Sequence, residues 1–74
     1  MSRLTPLPPR KVLRALEALG FQAIRQKGSH MVMRHPDGRT TVVPVHPGED
    51  IGRGLLRKII RDARVDVEEF LRHV

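Results

Sequence analysis

The chain contains no cysteine, no tryptophan and no tyrosine, and only two phenylalanines. Without cysteine there can be no disulfide, no thiolate zinc site and no cysteine nucleophile, which fits a reducing compartment and makes the cytoplasm the expected location. The only aromatics apart from histidine, Phe21 and Phe70, fall where packing explains them, so no stacking platform for unpaired bases is expected. Nowhere do about 18 apolar residues run together, and the opening "MSRLTPLPPR" holds no apolar core of signal-peptide length, so neither a membrane span nor secretion is expected. Acidic residues are scarce as well. Several of the eight fall at turns, caps or solvent faces, and only Glu49 and Asp50 are adjacent among those not assigned to a helix. The histidines at 30, 35, 46 and 73 show no zinc-ligand spacing, so neither a metal nor another cofactor is expected.

What is present is positive charge: 14 Lys+Arg against 8 Asp+Glu give +6 over 74 residues, and 11 of the 14 cations are arginine. A small surface so charged implies a polyanionic partner, nucleic acid or an acidic protein. Arginine's planar fork suits bidentate contact with phosphate, so the choice of cation points the same way as the net charge. A chain of this length makes one domain, 1–74, which buries only about 60% of the surface its unfolded form would expose.

Periodicity gives the elements. In "PPRKVLRALEALGF" the residues Val12, Leu13, Leu16 and Leu19 share one face of a helix that prolines open and Gly20 closes, with Phe21 folding back onto Leu16. The helical period then vanishes. "FQAIRQ", "SHMVMRH" and "TTVVPVH", separated by Lys27-Gly28 and Pro36-Asp37-Gly38, read as three strands of an antiparallel meander. In the second strand Met31, Met33 and His35 share the face expected to be the core side, while His30, Val32 and Arg34 share the other. Pro44 puts the third strand at a sheet edge or ends it there. Helical spacing returns at Leu55, Leu56, Ile59, Ile60 and Ala63, and "VDVEEFL" reads as a short last helix capped by Asp66, with Val65 stapled to Phe70. The expected class is α+β: helix, three-stranded antiparallel β-meander, helix, short C-terminal helix, with the helices on one sheet face and the other face wet.

Two features carry chemistry. In "QKGSHMVM" the turn supplies an imidazole at His30, a hydroxyl at Ser29, a cation at Lys27 and a close backbone approach at Gly28. Histidine moves protons near neutral pH, which makes His30 a candidate general base. On the second long helix Arg53, Arg57, Arg61 and Arg64, spaced four, four and three, form a guanidinium stripe with Lys58 alongside, and like charges so placed repel unless an anion lies across them. Arg10, Lys11 and Arg14 extend the basic surface. His46 is a candidate second acid or base.

A helix ending "ALEALGF", then "RQKGSH", a proline-containing turn, "VVPVH", "GLLRKIIRDA" and "VEEFL" together resemble the HicA family of mRNA interferase toxins over nearly the whole chain. The resemblance implies a double-stranded-RNA-binding-domain-like fold, RNA cleavage without a metal ion, His30 as the essential residue and a HicB-type antitoxin as partner. Two positions depart from the family pattern: Gly54-Leu55-Leu56 stands where Gly-Thr-Leu is common, and Arg64 where a glycine commonly ends the helix. The expected reaction is attack of a ribose 2′-hydroxyl, deprotonated by His30, on the adjacent phosphorus, with Lys27, Ser29 and the arginines Arg53, Arg57 and Arg61, together with Lys58, holding phosphate; the leaving-group acid is His46 or water. The alternative is a double-stranded-RNA-binding module that uses the same cations and performs no chemistry.

Overall fold

The computed structural model describes residues 3–74. Helix α1 runs over Pro9–Ala18 and helix α2 over Arg53–Ala63; between them strands β1 (Gln22–Lys27), β2 (His30–Arg34) and β3 (Thr40–Pro44) form an antiparallel sheet in the order β1-β2-β3, and α3 (Val67–Leu71) ends the fold. This is the expected α+β order, with β3 at a sheet edge. Among the described residues no helix is long and apolar enough to cross a membrane.

Each boundary has a local cause. Pro9 occupies the first helical position of α1, where an amide N–H would have no intrahelical partner. At the far end Gly20 takes φ +101, its N–H donates to the Glu17 carbonyl at 3.0 Å, and the Phe21 N–H donates to the Leu16 carbonyl at 2.9 Å. That is the pair of bonds of a Schellman motif, and it turns the buried Phe21 onto the core. A side chain at Gly20 would also strike His35 Nε2, 2.8 Å from an added Cβ. Helix α2 ends on Arg64 with φ 58, ψ 40, the left-handed conformation that glycine adopts freely and arginine rarely. A non-glycine residue there costs of order 1 kcal/mol. The Asp66 carboxylate accepts the Glu69 N–H at 2.7 Å, which fixes the start of α3.

The core is built from Val12, Ala15 and Leu16 of α1, Phe21, Met33 and Val43 of the sheet side, Leu56, Ile59, Ile60 and Ala63 of α2, and Phe70 of α3. Met33 is fully buried and Met31 packs against the cluster, so the methionine face of β2 is the inner one. Leu55 does not join it. Helical spacing places Leu55 with the core residues, yet it is exposed, because Leu56, Ile59, Ile60 and Ala63 already fill the narrow stripe that faces the sheet. No periodic pattern marks the segment before α1 as part of the core, but Leu4 is buried and Leu7 pairs with Ile51 as an isolated antiparallel bridge.

The helices lean on β3 and leave all six residues of β1 exposed. The β2–β3 turn is tied down separately. Arg39 lies over the Phe21 ring, 5.3 Å from its centroid, donates through Nε to Asp37 at 2.8 Å and through Nη1 to the Ala63 carbonyl at the end of α2. The Arg39 backbone N–H and then its guanidinium hold the Asp37 carboxyl well below the usual range, at about 2.

Candidate functional site

The hairpin between β1 and β2 has a two-residue loop, Gly28-Ser29, with a positive φ at the first position only. Such a loop matches the right-handed twist of the strands and needs glycine first. Nothing lies within 4 Å of a Cβ built on Gly28, so the glycine serves the turn rather than a close approach within the protein. The turn sets Lys27 opposite His30, and His30 opposite Pro44 on β3. Residues paired in this way share a sheet face. Val32 and Arg34 follow on that face, which is the one turned away from Met33 and the helices.

His30 is exposed at the open end of this face. His46 joins it there. The Val45 N–H donates to the Ser29 carbonyl at 2.7 Å, which carries the β2–β3 ladder past Pro44 and delivers His46 beside the hairpin. The two imidazoles stand edge to face, with centroids 6.2 Å apart and planes at 80°. Ser29 Oγ lies 3.5 Å from His46 Nε2, a long polar contact. Thus His46, sixteen residues further along the chain, joins the contiguous Lys27, Gly28, Ser29 and His30 at one end of the sheet.

A bulge adds to this face. β1 pairs Ala23 with Met33 and then Arg25 with Val32, so Ile24 has no partner. Strict alternation would put Ala23, Arg25 and Lys27 all on one side. The extra residue breaks the parity: Ala23 faces inward with Met33, while Arg25 and Lys27 are re-aimed to the side of His30. Arg25 and Arg34, which the sequence did not single out, therefore share the open face with the histidine, Arg34 at the other end of β2. For Arg34 the signal was available in the alternation of β2; for Arg25 it was not.

The α2 cations form a separate group. Arg53, Arg57 and Arg61 are exposed on the side of α2 away from the core, so they belong to the helical layer and not to the open sheet face. Lys58 is engaged: Nζ donates to Asp62 Oδ2 at 3.1 Å, and the same carboxylate oxygen accepts the buried Thr41 hydroxyl at 2.9 Å. The stripe is therefore an arginine stripe in substance. Among the described residues no three His, Cys, Asp or Glu side chains gather as a metal cage.

A family model described as the HicA toxin of bacterial toxin-antitoxin systems matches residues 9–65. The chain belongs to the HicA toxin family. No curated protein matches it. Membership makes this chain a toxin and implies an antitoxin partner. As a HicA protein it shows both departures in concrete form. Leu55, standing where a hydroxyl is common, is exposed near the start of an α2 whose N-cap, Gly52, makes no side-chain hydrogen bond. Arg64 accepts the left-handed angle and stays exposed, so the substitution keeps the helix end and adds a cation. The HicA match stops short of α3, although Phe70 is fully buried.

If the arginine stripe contacts phosphate, RNA affinity falls with salt. The double variant Arg57→Ala/Arg61→Ala is expected to flatten the log-log slope by about 0.7–0.9 for each phosphate that is no longer neutralised. Fluorescence anisotropy on a labelled RNA across a salt series measures it, and an unchanged slope removes α2 from the interface.

Proposed function

We propose that this toxin is an endoribonuclease that cuts RNA with its own side chains. The observation that supports the reading is the exposed pair His30 and His46, ring centroids 6.2 Å apart, at a hairpin that also carries Lys27. His30, neutral, removes the proton of a ribose 2′-hydroxyl. The 2′-oxygen forms its bond to the adjacent phosphorus as the bond to the 5′-oxygen of the next nucleotide breaks. His46, protonated, returns a proton to that leaving oxygen, so the products are a 2′,3′-cyclic phosphate and a 5′-hydroxyl. The Lys27 ammonium and the Ser29 hydroxyl offset the charge that builds on the phosphoryl oxygens, a role that preorganised donors fill well. Arg25 and Arg34 hold the flanking backbone.

Positive charge alone would fit a binding module as well. Turnover separates the two. The experiment is incubation of the purified chain with single-stranded RNA and with DNA of the same sequence in excess chelator, followed by end-group analysis. The expected result is RNA cut to cyclic-phosphate and 5′-hydroxyl ends and intact DNA. RNA bound but uncut assigns the chain to the binding class.

A further inference from the structure

Beside His46 a groove of about 420 Å³ opens between the start of α1 and the loop that joins β3 to α2. Its walls are apolar, formed by Pro8, Pro9, Leu13 and Val45, while Arg10, Glu49 and Asp50 bring charge to its lining. His46 lines it too, and the same ring meets His30. Whatever fills the groove therefore adjoins the atoms that His30 would act on.

The lining restricts the occupant. Apolar walls beside two carboxylates, which outnumber the single cation Arg10 on the lining, favour a neutral group over a phosphate. Glu49 and Asp50 are exposed, and neither carboxylate takes part in a hydrogen bond or ion pair with another described residue. A carboxylate is an acceptor only, and accepts well from an amino group on a base edge. A flat, neutral ring with an exocyclic amine on its rim matches both parts. Proline faces and the imidazole of His46 supply the flat contact that phenyl and indole rings supply elsewhere, so the scarcity of aromatics does not leave the chain without a surface for a base.

We propose that this groove is the subsite for the nucleobase next to the scissile phosphodiester, and that the two carboxylates of Glu49 and Asp50 there select bases whose exocyclic amine offers two N–H donors, adenine, cytosine or guanine, over uracil, which offers a single ring N–H. The inference rests on the RNA-cleaving reading but is tested apart from it, by binding. The probes are short 2′-O-methyl RNA oligomers, which block attack by the 2′-oxygen, made entirely of uridine or containing adenosine or cytidine. The unmodified chain binds the amine-bearing oligomers about tenfold tighter than the all-uridine one. In Glu49→Ala/Asp50→Ala that ratio falls to about one, and the amide resonances of Leu13 and Val45, which shift on binding to the wild type, shift less. Equal affinity for all oligomers, or a preference that survives the double variant, overturns the subsite. Cleavage of ordinary RNA is scored separately: cutting without base preference sinks the groove alone, and preference without cutting sinks the nuclease reading alone. A double variant that keeps its RNA preference but binds a partner protein less tightly assigns the groove to protein contact and overturns the proposal.

Discussion

Replacing His30 by alanine is expected to lower RNA cleavage by about 10²–10⁴-fold, the usual worth of a positioned general base. The fold should survive, because His30 is exposed and its pairings with Lys27 and Pro44 are made by the backbone. His46→Ala should lower the rate as well, since it removes the proposed proton donor. Groups that act on one proton-transfer sequence are strongly non-additive, so the double variant should fall little below the weaker single one. Cleavage kinetics on one RNA, with circular dichroism and the urea midpoint as folding controls, measure all three. A folded His30→Ala chain that cuts at the wild-type rate refutes the assignment. Independent, multiplying losses would separate His46 from the reaction that His30 serves.

The second large effect concerns stability. Phe70 is fully buried, on a five-residue helix beyond the segment that the family match covers. Phe70→Ala should remove about 3–5 kcal/mol, the common cost of deleting a buried phenyl ring. A domain of this length has roughly 4–11 kcal/mol in total. The expected outcome is a urea midpoint lowered by about 2 M or more at an unchanged slope, or a chain already unfolded in buffer. A midpoint within about 0.5 M of wild type would mean that α3 is an appendage and not part of the core.

Much of this was legible in the sequence because it depends on local rules. The Schellman cap at Gly20-Phe21, the Asp66 cap, the Gly28 hairpin and the edge position of the strand holding Pro44 each follow from a residue whose backbone chemistry allows few alternatives. The inner face of β2 followed from alternation. What escaped depends on residues distant in sequence or on a break in a period. The bulge at Ile24 leaves no mark in "QAIRQK", yet it decides which side Arg25 and Lys27 face. The Lys58–Asp62–Thr41 chain needs the distance between α2 and β3, so Lys58 read as a free cation. Leu55 fitted the apolar period but fell outside the strip that the sheet can cover. The groove beside His46 needs Leu7 bridged to Ile51, a pairing that no pattern within either segment announces. For the candidate site itself the sequence supplied the hairpin and left His46 open; the extension of the ladder through Val45 is what sets the second imidazole next to the first.

The most direct test of the chemistry is a single-atom change in the substrate. An RNA with one preferred cut is made with a 2′-deoxy sugar at the nucleotide before that cut and left unmodified elsewhere. The account predicts that the strand is bound as before but no longer broken at that bond, while other sites are still cut. Scission at the deoxy position at an undiminished rate would show that water, not the sugar, attacks the phosphorus, and would contradict His30 as the base that activates a ribose hydroxyl.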